Sequence, residues 1–321
     1  MITLIIKDGL GNQLFQYAYA RYLQESFYKN DKLYINPFYI NHKDFRRLSL
    51  QHFNLGEKTS IIKNEADQAA SMKAFKIRVL WANLFELIPW KIFKQKPLGK
   101  NKFIKRAHKG LYYTYTSQTN FGIYHSNTKN KFVFGCFQGV ENFKPIEHII
   151  KKEFQIVTKA SKENQAILNN IEKTNSICLH IRRGDYLDPK WKSLQICNFH
   201  YYQAAIDKIC QSVSSPTFYI FSNNHEDIEW IKNNYHFKIN ETASFNYIDL
   251  NNPDYEELRL MIACKHFIIS NSTFSWWAAY LANNPNKIVI APDKWNLNYS
   301  GSEMIYLKEW IKIPTIKYKN E

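Results

Sequence analysis

A chain of 321 residues, 45% hydrophobic and 16% aromatic, is long for one core and ample for two, so a globular protein of two domains is expected. Five cysteines, at 136, 178, 197, 210 and 264, are odd in number and include no CxxC pair, which points to reduced, mostly structural thiols in a cytosolic setting. The start MITLIIKDGLGN has neither a basic n-region nor a long apolar run, and no segment offers about 18 uncharged apolar residues, so a secretion signal and a spanning helix are both excluded and any membrane contact is peripheral.

The first unit reads strand, turn, helix, strand. ITLIIKD is an apolar run and GLGN a tight turn; Leu14, Ala18, Tyr22 and Glu25 then recur at helical spacing, and KLYIN is a second strand. Gly9 and Gly11 begin a dinucleotide fingerprint, but Leu14 holds the third glycine's place and Asp31 precedes the second strand, so the ribose-binding acid is missing. What the turn supplies is main chain that a ligand can approach at a helix amino terminus, with Asn12 and Gln13 as neutral donors and acceptors there. The alternative is that Asn12 only caps the helix.

From Asn36 to about Lys131 the pattern is irregular and mainly helical. The formal net charge of +15 is concentrated here: between Ser71 and Gly110, 11 Lys or Arg face the single acid Glu86, a local +10 against +5 for the rest of the chain. Phe75, Val79, Leu80, Trp81 and Leu84 alternate with lysines, as in a helix pair whose apolar faces are either buried or laid on an anionic leaflet. No nucleic-acid signature accompanies the charge, and nucleic acid is not expected as a partner. KFVFGCFQGVENFKP is an apolar strand ending in a Gly135 to Gly139 turn that carries Gln138, and IEHIIKKEF reads as a helix. A boundary near residue 160 divides the chain into 1–160, with its basic helical insertion at about 71–110, and 161–321.

The second half alternates regularly. Strands are expected in SICLHIRR, TFYIFSNN, NYIDL, KHFIIS and, last, KIVIAPDKW; helices are expected in NFHYYQAAIDKICQ, HEDIEWIKNNY, PDYEELRLMIACK and STFSWWAAYLAN. Such alternation predicts a parallel sheet covered on both faces. Trp276 and Trp277 belong to its core.

Three strand ends of this sheet carry polar clusters: Arg182, Arg183 and Asp185; Ser222, Asn223 and Asn224; Ser270, Asn271, Ser272, Thr273 and Ser275. If the strands are parallel neighbours, all three meet on the edge where open α/β sheets bind ligands. Two guanidiniums there suit an anion, most directly a phosphate, unless one pairs with Asp185 and the other lies on the surface. SNSTFSWW runs straight from strand into helix, so its hydroxyls and free N–H groups are set to receive phosphate oxygens with the helix dipole behind them. No GxxxxGK[ST] loop, HExxH helix or D-x-D triplet is present, so the charge of a nucleotide diphosphate would be balanced by arginine and helix amino termini, with no metal and no cofactor.

GLGNQLFQYAYAR (Gly9 to Arg21), GCFQGVENF (Gly135 to Phe143), HIRRGDY (His180 to Tyr186), FSNNHEDIEW (Phe221 to Trp230) and SNSTFSWWAAYL (Ser270 to Leu281) resemble, in order and over nearly the whole chain, the α-1,2-fucosyltransferases of glycosyltransferase family 11. HxRRxD is shared by a wider group of fucosyltransferases and speaks to the donor more than to the linkage. The resemblance implies a GT-B-like fold, two facing Rossmann-like domains with parallel sheets and an interdomain cleft. The amino-terminal one would be the acceptor side, with Gly11, Asn12, Gln13 and Gln138; the carboxyl-terminal one would hold the donor.

It further implies inverting transfer of L-fucose from GDP-fucose to O2 of a terminal galactose, in bacterial surface-polysaccharide synthesis. The acceptor would be a galactose-terminated oligosaccharide or lipid-linked glycan; on this reading the basic stretch at 71–110, by contact with anionic lipid, would hold a cytoplasmic enzyme peripherally at the inner face of the inner membrane. Arg182 would clamp the β-phosphate; His180 and the FSNN turn, with Ser222 and Asn224, would lie near guanine and ribose; Arg183, Asn271, Ser272, Thr273 and Ser275 complete the donor set. Asn223 and Asn224 stand where the family commonly has aspartates, which removes any proton-taking role from that turn. Asp185 is the first choice of catalytic base, unless it pairs with an arginine; Asp188, or Asn12 with a relayed water, are the alternatives.

Overall fold

The computed structural model describes residues 1–43, 46–93, 99–114, 122–297 and 305–315, with main chain alone at 43 and over 83–93. The chain divides into two units, Met1–Val157 and Thr158–Glu321, each built on a parallel sheet of its own. This is the two-unit parallel α/β architecture that the resemblance implies.

In the first unit β1 (Ile2–Ile5), β2 (Leu33–Asn36), β3 (Thr59–Ile61), β4 (Leu111–Tyr113) and β5 (Lys131–Phe134) lie in the order β3-β2-β1-β5-β4, all pairs parallel. ITLI is buried at every position, as a central strand covered on both faces must be. The helix that follows, α1 (Leu10–Phe27), is buried around most of its circumference, so its polar side chains find partners inside the protein. Gln16 brackets the main chain of Lys7, accepting from its N–H at 3.1 Å and donating to its carbonyl at 3.0 Å. Arg21 pairs with Glu153 at 2.9 Å, and the Tyr17 hydroxyl donates to the same carboxylate at 2.6 Å. Left unpaired, each such group would cost about 1–3 kcal/mol or more.

The helices α2 (Phe38–Lys43), α3 (Glu65–Phe93), α4 (Lys100–His108) and α5 (Glu147–Glu153) complete this unit. The stretch expected to be mainly helical is so over α3 and α4, but it also carries β3 and β4. Strands of three residues are too short for alternation to be read from sequence. Of the basic stretch, residues 94–98 lie outside the described residues, as do the side chains of Leu84 and Glu86. Among the described residues no helix is long and apolar enough to cross a membrane.

The second unit runs α6 (Lys162–Lys173), β6 (Asn175–His180), α7 (Phe199–Cys210), β7 (Pro216–Phe221), α8 (His225–Asn234), β8 (Ser244–Tyr247), α9 (Asp254–Ala263), β9 (His266–Ile268), α10 (Thr273–Leu281), β10 (Val289–Pro292) and β11 (Ile311–Ile313). Its sheet has the order β11-β10-β9-β6-β7-β8, again parallel throughout. Two expectations are corrected. The strand sought in NYIDL begins two residues earlier, where SFNY alternates between exposed and half-buried positions as an edge strand does. The strand in IVIAP is not the last, because IKI adds β11 beside it. Trp276 and Trp277 are fully buried, and the Trp276 indole N–H donates to the Ile305 carbonyl at 2.7 Å.

Both sheets place their first strand centrally and reverse direction beside it, between β1 and β5 and between β6 and β9. The crevice outside the carboxyl ends of strands at such a reversal is where open α/β sheets bind ligands.

Candidate active site

Parallel pairing of β6 with β7, which sets His180 opposite Phe221, and with β9, which sets Leu179 opposite Ile268, brings the residues following all three strands to one edge of the second sheet. His180 closes β6 at 2% exposure, with Nδ1 3.0 Å from the Ser270 hydroxyl across the β6/β9 reversal. Its ring packs 6.1 Å from that of Phe274. Burial, and then the charge of Arg182, push its pKa down to about 3, so the imidazole is neutral and serves as a hydrogen-bonding group.

Arg182 is held in place from two sides. Its guanidinium meets Asp185 Oδ1 at 2.7 Å and lies 5.1 Å from the centre of the Tyr186 ring. The Tyr186 hydroxyl in turn donates to the Asn271 carbonyl at 3.0 Å, tying the arginine's loop to the β9 end. Arg182 Nε is buried and has no hydrogen-bond partner among the described residues. Arg183 stacks 3.2 Å over the Trp230 ring, with Nε 3.4 Å from Asp227 Oδ1. Gly184 follows at φ +43°, where a side chain's Cβ would lie 2.1 Å from Asn223 Nδ2, so the turn requires glycine. Asn223 Oδ1 is a second buried atom with no partner among the described residues.

On the same edge α10 opens with Ser272, whose hydroxyl accepts from the Phe274 N–H at 3.3 Å. Ser275 is buried one turn on and donates to the Ser272 carbonyl at 3.4 Å; Thr273, the first residue of the helix, is half-buried. A fixed guanidinium with a spare N–H, an unsatisfied amide oxygen and a helix amino terminus thus share one rim. That combination suits a phosphorylated ligand with a polar heterocycle.

In the first unit, two of the residues expected to serve the acceptor meet. Gln138 Nε2 donates to Asn12 Oδ1 at 2.8 Å, outside the ends of β5 and β1, and Gln138 Oε1 has no partner among the described residues. The turn that presents Gln138 is constrained: Phe137 sits at φ +49° and Gly139 at φ +117°, and Asn142 Nδ2 donates to the Phe137 carbonyl at 2.9 Å. Gly11 is buried in the first turn of α1.

Residues 1–314 match the family model described as "Glycosyl transferase family 11". The chain belongs to glycosyl transferase family 11. This family 11 chain is 28% identical over 337 residues to "O-antigen biosynthesis glycosyltransferase WbnK" of Escherichia coli, covering 96% of this chain and 99% of that protein. A shorter match, 35% identical over 127 residues, covers 39% of this chain and 42% of "Alpha-1,2-colitosyltransferase" of Escherichia coli. "Galactoside alpha-(1,2)-fucosyltransferase 2" of Mus musculus is 30% identical over 177 residues, 51% of this chain and 49% of that protein. Among solved structures, the fucosyltransferase NodZ from Bradyrhizobium overlays at 12% identity and a TM-score of 0.48, over 90% of this chain and 94% of that one.

Several side chains expected to touch ligand in this family 11 chain also hold bonds within the protein. Asn271 spends its amide on the Leu194 and Trp295 carbonyls, both at 2.9 Å, and is a strut. Ser222 donates to the Ile181 carbonyl at 2.8 Å, and Asn224 caps α8 by accepting from the Asp227 N–H at 2.9 Å. Gln13 is fully buried, donating to the carbonyls of Asp8 and Arg47 at 2.9 and 2.7 Å and accepting from Ser49 N–H at 3.1 Å. Asn12 is not a cap either, since α1 opens at Gly9 without a side-chain bond.

The candidate bases are also altered. Asp185 takes the arginine pairing that was its alternative. Asp188 is bound to Lys190, accepting from its N–H at 3.0 Å and facing its ammonium at 2.7 Å, which holds the carboxyl below its ordinary pKa and makes it a poor base.

Glu257, on α9, was not singled out from sequence. Burial pushes its pKa up to about 8 against the pull of the Arg182 guanidinium, so near neutrality it is largely a protonated acid beside the proposed phosphate site. The one His/Glu/Asp grouping with ligand spacing among the described residues, His225, Glu229 and Asp249, already has Lys232 against its carboxylates at 2.5 and 3.7 Å.

Proposed function

We propose that this chain is a galactoside α-1,2-fucosyltransferase that moves L-fucose from GDP-fucose to O2 of a terminal galactose, with inversion and without metal. The observation that carries the reading is the buried, spare N–H of Arg182 on the same sheet edge as the α10 amino terminus. The second unit is then the donor domain and the first the acceptor side.

The acceptor O2 attacks the anomeric carbon and gives up its proton to water as that carbon's bond to the β-phosphate oxygen breaks, and negative charge gathers on departing GDP. A preset guanidinium is most useful there, because it is stronger against the leaving group than against the ground state. Neutral His180 and the Asn223 amide are suited to hydrogen bonds with base and ribose. Asn12 and Gln138 are suited to a sugar hydroxyl, with Gln138 Oε1 as its acceptor.

The full-length similarity to an O-antigen glycosyltransferase supports a galactose-terminated oligosaccharide or lipid-linked glycan as acceptor, in surface-polysaccharide synthesis on the cytoplasmic side of a bacterial inner membrane. The similarity to a colitosyltransferase favours a second reading, GDP-colitose as donor.

Incubation with lactose and GDP-fucose, GDP-colitose or GDP-mannose, in chelator, followed by linkage analysis, tests both. An α-1,2-fucosylated product is expected. Preferential use of GDP-colitose would replace the donor. No transfer in chelator with recovery on added Mg²⁺ would remove the metal-free mechanism, and transfer to a position other than O2 would remove the linkage.

A further inference from the structure

We propose that the outward face of α3 is a docking surface for an anionic lipid bilayer, an inference that rests on the lipid-linked acceptor in the reading above and adds the contact that would hold the enzyme beside it. One stripe of α3 is explained by the fold. Met72 and Phe75 are buried in a cluster with Leu111, Phe132 and Phe134, and Arg78 donates to the Asn130 carbonyl at 2.7 Å. The helix is therefore fastened to the sheet by that stripe.

The other side is not what a solvated face normally is. Ile77 is 45% exposed, Leu80 65% and Trp81 56%, and their i, i+3, i+4 spacing gathers them into one apolar strip. Exposed Lys73 and Lys76 stand one turn before it, within the stretch that carries a net +10 between Ser71 and Gly110. Large apolar side chains beside lysines match the interface of an anionic membrane: Leu and Ile enter the acyl boundary, Trp sits at headgroup level, and the ammoniums meet lipid phosphates. Charge decides between this occupant and a second copy of the chain. Self-association through the strip would set Lys73 and Lys76 of one copy close to those of the other, whereas anionic lipid neutralises them.

The test is co-sedimentation of the full chain with phosphatidylcholine vesicles, plain or containing about 30% phosphatidylglycerol. Wild type is expected to bind the anionic vesicles alone, about tenfold more weakly in 0.5 M salt. Ile77→Ser/Leu80→Ser/Trp81→Ser should weaken that binding about tenfold or more. Lys73→Glu/Lys76→Glu should do so in the charged vesicles alone. Both variants should transfer fucose to soluble lactose at the wild-type rate, which also shows that they fold.

Undiminished sedimentation of the triple serine variant would overturn the proposal. So would salt-insensitive binding to plain phosphatidylcholine, or a wild-type dimer in solution that the serine variant loses. Intact vesicle binding with no transfer to lactose would instead sink the fucosyltransferase reading and leave the docking surface standing.

Discussion

Gln138 donates to Asn12 across 2.8 Å although the two lie on opposite ends of the first unit's sequence, one in the turn after β5 and one in the first turn of α1. The bond turns Gln138 so that Nε2 is used and Oε1 is left over. If that oxygen receives an acceptor hydroxyl, Gln138→Ala should raise KM for lactose about tenfold while KM for GDP-fucose changes less than about twofold. Asn12→Ala should give a similar effect, and the double variant little more, because each removes the same arrangement. Initial-rate kinetics with each substrate varied in turn reads this directly; equal effects on both KM values would detach the pair from the acceptor.

Arg182 and Asp185 separate in the same assay. Arg182→Ala should lower kcat by about 100-fold or more with the fold retained, since a preset charge on the leaving group is lost. Lysine should restore little of it, lacking the forked geometry. Asp185→Asn removes a partner that orients the arginine, so a smaller loss, about tenfold, and an unchanged pH profile are expected. Disappearance of a basic or acidic limb from that profile in Asp185→Asn would make it the base after all.

Glu257 sets a pH dependence of stability. Its carboxyl binds a proton more tightly in the folded chain, pKa about 8, than at its ordinary value of 4.5. Its unfavourable contribution is therefore absent below about pH 4.5, grows as pH rises and is complete above about 8. Urea unfolding of Glu257→Gln against wild type should give a difference that increases in the variant's favour by up to about 4 kcal/mol between pH 5 and pH 9. Arg182→Ala removes the nearby positive charge and should carry the window to higher pH. A constant difference across that range would mean Glu257 ionises normally.

What could be read from sequence follows from range. SICLHIRRGD combines an apolar strand with charge at its end inside one short segment, and SNSTFSWW runs from strand to helix cap without a break, so both declared themselves locally. Asn271, Ser222 and Gln13 have the same polar character as ligand contacts, yet they bond main-chain groups brought up by distant segments, such as Trp295 for Asn271 and Arg47 for Gln13, whereas Asn224 caps its own helix through the Asp227 N–H three residues on. Residue type does not distinguish a strut from a ligand contact; the surroundings do. Glu257 was invisible for a related reason, because its raised pKa comes from burial by the rest of the fold, which overrides the pull of Arg182. β3, β4 and β11 were missed or left out because three residues show no period.

Burial, and then the charge of Arg182, hold the His180 imidazole uncharged well below its ordinary range, beside the Ser270 hydroxyl. The contact between His180 and Ser270 therefore keeps one protonation state from neutrality down through mild acid, and whatever hydrogen bond this corner offers a ligand keeps the same donor and acceptor pattern over that range.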